Sequence, residues 1–309
     1  MISLRRHVLT LVAVFLALAV GVVLGSTSVA TSIRDAVVEG EETTTARLES
    51  AQDDLAAQRL ATERLDSLAG DLTPTVVGGR LDGRPVLTIA APGASDDDVT
   101  AARQVVGDAG GIDAGRVTLT NKAVDPQADA ELEALVANLP IGTAPEADAD
   151  LGTQLGTALG RAAMLRAEDA QPHLDDDDRA TVLTTLADAE IIRYEPGTLR
   201  PGQLALIVTG PQEKESTAVR IAAVARTLDR EGAGVVVSAG PGRSGRDAVD
   251  VLRSAGEEDV STIDDAAGAA GRLATALALA EQLARGQGHY GLGPDATAAA
   301  PSLPPTPER

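Results

Sequence analysis

The 309-residue chain contains no cysteine. That absence excludes a disulfide framework, thiolate metal sites and a cysteine nucleophile, while leaving the compartment open. Aromatic residues are almost missing: Phe15, Tyr194 and Tyr290 are the full set. A core must therefore be built from Val, Leu, Ile and Ala, without the aromatic bulk that usually anchors a binding pocket. Lysine is confined to Lys122 and Lys214, and histidine to His7, His173 and His289. Positive charge is scarce overall, 26 Lys and Arg against 46 Asp and Glu, for a net charge of −20. Such a field repels phosphate backbones, so no nucleic-acid partner is expected, nor broad contact with an anionic membrane surface beyond an anchor. A G-x-S-x-G nucleophile elbow is lacking too, since Gly242-Arg243-Ser244-Gly245 has the wrong spacing. With so few histidines to act as general base, no catalytic residues and no enzymatic activity are predicted.

Long apolar runs are also rare, and the exception is informative. Arg5, Arg6 and His7 precede an apolar stretch from Val8 to Leu24 whose only polar member is Thr10. As a helix it would be roughly 26 Å long, close to the hydrocarbon thickness of a bilayer. Asp35, Glu39, Glu41 and Glu42 follow it. The charge asymmetry predicts a single-pass anchor with a cytoplasmic N-terminus and the remaining chain outside the cytoplasm. A cleaved signal peptide is the alternative, with Ser28-Val29-Ala30 as a candidate cleavage site.

Four regions are expected: a cytoplasmic flank and transmembrane anchor over 1–30, a helical stalk over 31–72, an α/β domain over 73–292, and a disordered tail over 293–309. In the stalk, Leu48, Ala51, Leu55, Gln58, Thr62 and Leu65 alternate steps of three and four, the spacing of a coiled-coil seam. A homo- or hetero-oligomer formed through this stalk is one reading and a lone solvated helix the other. Pro74 and Gly78-Gly79 are expected to end the helix. Beyond them, Pro85–Ala91, Arg116–Thr120, Gln203–Thr209, Gly234–Ser238 and Asp259–Ile263 read as short strands alternating with helices. That alternation predicts a doubly wound, mostly parallel sheet, with a helical insertion at about 129–188. Ser95 before Asp96, Asp97 and Asp98 has the pattern of a helix N-cap, and Asp175–Asp178 that of a loop or helix start.

The sharpest local motif is Gly240-Pro241-Gly242-Arg243-Ser244-Gly245, a G-x-G-x-x-G match between a strand and a helix, with Asp264 ending the next strand. Gly240, Gly242 and Gly245 are thus candidates for a pyrophosphate-binding turn. Glycines are equally what a plain strand-to-helix turn needs, and Pro241 suits that reading. A structural turn with no cofactor is the expectation.

The opening MISLRRHVLTLVAVFLALAVGVVLGS resembles that of the actinobacterial copper-transporter family, represented by mycobacterial copper transport protein B. So do PVLTIAAPGASDDDV, IDAGRVTLT and the closing GRLATALALAEQLARGQGHYG. The likeness covers nearly the whole chain except the tail. It implies an envelope protein tied to copper efflux and homeostasis, described as a channel in the mycobacterial outer membrane. A related corynebacterial member implies a role in cell separation with a membrane partner. Copper would then be a transported ion rather than a cofactor. The ligands copper(I) favours are thin here, since Met164 is the only methionine besides Met1. The strands are also too short and non-aromatic for a membrane barrel. A copper-efflux component and a partner-binding envelope scaffold are therefore the two functions carried forward.

Overall fold

The computed structural model describes residues 47–143, 149–210, 214–240, 247–256 and 259–302, together with Val14. Two compact units divide the chain, residues 1–64 and 65–309. In the first, residues 47–64 are helical and exposed at every position, including Leu48 and Leu55 of the proposed seam. The apolar run 8–24 lies outside the described residues, Val14 apart. None of the described helices is long and apolar enough to cross a membrane.

The second unit opens on a helical segment, residues 65–77 (α1). Pro74 does not end this helix. Thr73 and Val77 are buried, the Thr73 hydroxyl donates to the Ala69 carbonyl at 2.7 Å, and Gly78 N–H reaches the Pro74 carbonyl at 3.0 Å. Burial of that face offsets the one backbone hydrogen bond that proline cannot make.

The remaining elements are β1 (Pro85–Ala90), α2 (Asp96–Asp108), β2 (Ile112–Leu119), α3 (Asp129–Val136), α4 (Leu151–Ala163), α5 (Asp176–Asp188) and β3 (Ile192–Tyr194). There follow β4 (Leu204–Thr209), α6 (Glu215–Glu231), β5 (Val235–Ala239), α7 (Ala248–Ser254), β6 (Ser261–Ile263), α8 (Ala269–Leu283) and β7 (His289–Tyr290). The strands form one sheet in the order β3-β2-β1-β4-β5-β6-β7, parallel except for the β2–β3 pair. β4 (LALIVT) and β5 (VVVSA) are buried at every position, as strands covered on both faces must be. The α/β architecture and the mostly parallel sheet agree with the sequence reading.

One core holds side chains of α3 to α7 on one face of the sheet; a second holds α1, α2 and α8 on the other. The helices α3, α4 and α5, which fall within 129–188, are not peripheral. Leu155, Ala158 and Leu159 of α4 are buried in the first core. Gly152, Gly156 and Gly160, one turn apart on α4, let α6 come close. A Cβ on Gly152 would lie 2.8 Å from the Arg220 carbonyl oxygen, and one on Gly156 would lie 2.7 Å from Thr227 Cβ. Two short strands, β3 and β7, were not expected from the sequence.

Residues 293–302 are ordered on the domain: Thr297 N–H donates to the His289 carbonyl at 2.8 Å, Gly291 N–H to that of Ala298 at 3.0 Å, and Ala300 packs into the second core. Backbone hydrogen bonds to a strand edge do this work, and hydrophobic periodicity does not report them. Residues 303–309 lie outside the described residues.

Candidate functional site

In a doubly wound sheet the default ligand site is the crevice beyond the carboxyl ends of the strands, where the strand order reverses. Here the reversal falls between β1 and β4, and the candidate glycine turn follows the neighbouring β5. The chain reaches this point by capped turns. Ser95 Oγ accepts the Asp98 N–H at 3.0 Å, with Asp96, Asp97 and Asp98 in the first turn of α2, so these aspartates serve the helix start as expected. Asp175 caps α5 in the same manner, accepting from Asp178 N–H at 2.8 Å.

Two backbones meet across the crevice. A Cβ on Gly210, after β4, would fall 1.8 Å from the Gly93 carbonyl oxygen after β1. Ala91 N–H donates to the Val208 carbonyl at 2.9 Å. Beside them lies a small cavity of about 10 Å³, bordered by Asp98, Ser238, Gly240 and Arg272. That is at the lower limit for one water molecule. Gly240 is placed at the end of β5 as expected, and a Cβ there would lie 3.3 Å from Asp98 Oδ2. A carboxylate thus faces the position where a phosphate would approach. Gly242 and Gly245 lie outside the described residues.

Asp264, the acid expected to follow the motif, has other obligations. Its Oδ2 lies 2.7 Å from Arg253 Nη1 in an ion pair whose two side chains are each 4% exposed. Its Oδ1 accepts the Leu292 and Gly293 N–H groups at 2.6 and 3.1 Å. Burial pushes this carboxyl up, but the Arg253 hydrogen bond and the two backbone donors outweigh it and hold the group below the usual carboxylate range. Arg253 also donates to Thr262 Oγ1 and the Tyr290 carbonyl. Together these two residues tie α7, β6, β7 and the tail into one unit. Nothing in the sequence singled out Arg253. Tyr290 completes the junction by donating to Glu281 Oε2 at 2.5 Å, and burial followed by that carboxylate raises its pKa far above the ordinary phenol value.

Among the described residues the soft or imidazole side chains are dispersed. Met164 is fully buried. His173 Nε2 is 2.8 Å from the Glu231 carbonyl oxygen, and His289 Nδ1 is 2.9 Å from Thr262 Oγ1. Among the described residues no three His, Asp or Glu side chains converge in a way that could hold a metal ion.

These features define an acidic, doubly wound α/β domain in which the turns after β1 and β4 meet closely at the switch point. Comparison with known proteins gives the lineage. A family model described as copper transport outer membrane protein, MctB, matches residues 1–301, and the chain belongs to that family. The copper transporter MctB of Mycobacterium tuberculosis is 31% identical over 304 residues, covering 95% of this chain and 97% of the relative. That of Mycobacterium leprae is 33% identical over 311 residues, covering 96% and 98%. The resemblance read from the opening segment and the GHYG ending is thereby established. The family is one of copper transport proteins rather than enzymes.

Proposed function

We propose that the protein is a membrane-anchored component of copper efflux in the cell envelope, with residues 8–24 as a single span and the α/β domain on the extracytoplasmic side. The supporting observation is the family match over residues 1–301, which includes the apolar run and its basic flank. Copper is the cargo, and the domain is not a copper store. His173, His289 and Met164 are engaged or buried separately, so any copper path is built from assembled copies or from other parts of the chain. The exposed helix 47–64 supplies a surface for assembly.

A second reading, a partner-binding scaffold for cell separation, draws on the same helix and its exposed Leu48 and Leu55. One experiment separates the two. In a strain lacking the protein, efflux of preloaded copper is measured alongside septum resolution, then remeasured after restoring the full chain or a Leu48→Glu, Leu55→Glu variant. The efflux reading expects slow export corrected only by the full chain, with cross-linked oligomer lost in the variant. Normal export with unresolved septa would reject efflux in favour of the scaffold. A cytoplasm-dependent reporter fused after Arg309 should be silent, and activity would overturn the orientation.

A further inference from the structure

We infer that an arginine-lined basin at the β2–β3 edge is an oxyanion-binding site for a small ligand bearing phosphate or carboxylate groups. The inference is independent of copper. The basin is a cavity of about 580 Å³, within the range of small-molecule sites. Its cationic wall is Arg103, Arg116 and Arg193, and Thr118, Tyr194 and Thr198 also border it.

The fold explains why these groups meet. α2 packs over β1, β2 and β4, and carries Arg103 to the rim. Arg116 and Thr118 are two residues apart on β2 and share a face; Arg116 Nε donates to Thr118 Oγ1 at 3.1 Å. Thr118 is paired in register with Arg193 of antiparallel β3, which brings the third guanidinium alongside. Gly115, at φ +105°, lets the 198–199 segment press onto β2: a Cβ there would lie 3.1 Å from the Thr198 carbonyl oxygen. That contact closes one end of the basin.

The charge is unusual for this molecule. In a chain of net charge −20, three arginines face one cavity. Two are partly neutralised. Arg103 pairs with Asp113, and Arg116 Nη2 lies 2.9 Å from Asp96 Oδ1, whose side chain is 85% exposed. Glu195 adds another negative group at the rim. Arg193 is exposed, and no acid or carbonyl is paired with it among the described residues. A guanidinium presents a planar fork that matches carboxylate or phosphate oxygens two at a time. Arg193 is the free fork, with Arg116 as its neighbour and the Thr118 hydroxyl, which accepts from Arg116 and keeps its own hydrogen, as an additional donor.

The test uses full-length protein in neutral detergent, with citrate and inorganic phosphate as probes in calorimetric titration and sodium chloride at matched ionic strength as control. Saturable binding of at least one probe is expected. Arg193→Gln should weaken it about tenfold or more, the size expected for losing one charge-assisted hydrogen bond. Arg193→Lys should recover part of the affinity, and Arg230→Gln, at the far end of α6, should change nothing. Unaltered melting of Arg193→Gln shows that folding is intact. A parallel arm uses phosphatidylcholine vesicles with or without phosphatidylglycerol. Phosphatidylglycerol-dependent binding lost in Arg193→Gln would identify the oxyanion as a lipid headgroup, whereas response to the soluble probes alone identifies a free metabolite. Absence of binding beyond the chloride control in both arms overturns the proposal, as does binding that Arg193→Gln leaves unchanged.

Discussion

Asp229 shows how a single buried carboxyl makes stability depend on pH. It lies near the end of α6 and accepts the Val235 N–H at 2.9 Å, bracing the turn into β5. Burial, with Asp259 nearby, pushes its pKa up to about 7, against the pull of that N–H and of Arg285 and Arg230. Between about pH 4 and pH 7 the folded state therefore holds a proton that the unfolded chain has released. The group's contribution is greatest below its unfolded pKa and is lost as pH rises through 7. Asp229→Asn keeps an oxygen for Val235 and removes the charge. Its stability relative to the parent should rise between pH 4 and pH 8 by up to roughly 4 kcal/mol, the equivalent of three pKa units. Urea unfolding at a series of pH values measures the difference, and parallel curves for the two proteins would contradict it. Asp264 slopes the opposite way, since a depressed carboxyl loses its stabilising effect only as pH falls through the folded value.

Among the elements, α4 makes the clearest demand on sequence. Its three glycines at intervals of four let α6 approach closely, and Gly156 has Thr227 and the Val224 carbonyl in the space a side chain would take. Gly156→Leu should cost about 3 kcal/mol or more, because neither the backbone nor the packed Thr227 can retreat cheaply. Gly107 on α2 has nothing within 4 Å of a would-be Cβ. There Gly107→Ala should stabilise by roughly 0.5–1 kcal/mol through helix propensity alone. Denaturant midpoints of the two variants check both signs. The sequence made β4, β5 and the Ser95 cap legible because each carries a local pattern: an unbroken apolar run, or a capping residue with acids behind it. β3 and β7, at three and two residues, are too short to show a period. The glycines of α4 are read most naturally as helix-weakening, and only the partner helix gives them a purpose. At the candidate site, Gly240 was legible from its strand-turn-helix context. The engagement of Asp264 was not, because Arg253 is joined to it by tertiary contact and no sequence spacing announces the pair. The arginine basin was hidden for the same reason, since Arg193 meets Arg116 only through the register of an unexpected strand.

At the scale of the whole molecule, acidity and the local charge at the switch point act the same way. A pyrophosphate would meet a net charge of −20 and the Asp98 carboxylate beside Gly240. NAD, FAD and ATP should therefore leave the melting temperature unchanged. A bound nucleotide at a hundred times its dissociation constant would add about 2.7 kcal/mol and be plainly visible. A shift that Gly242→Val abolished in a folded protein would establish the nucleotide site after all. The domain is also bound together across its length. Asp66 of α1 accepts the backbone N–H of Ala269, the first residue of α8, from 203 positions away. β1, at the head of the α/β sequence, lies in the middle of the sheet between β2 and β4. Closure of such long intervals comes late, because the entropy lost must precede the contacts that reward it. A nascent chain emerging N-terminus first therefore has no means of capping α8 until residue 269 has been made, or of finishing its second core until Tyr290 and Ala300 have followed.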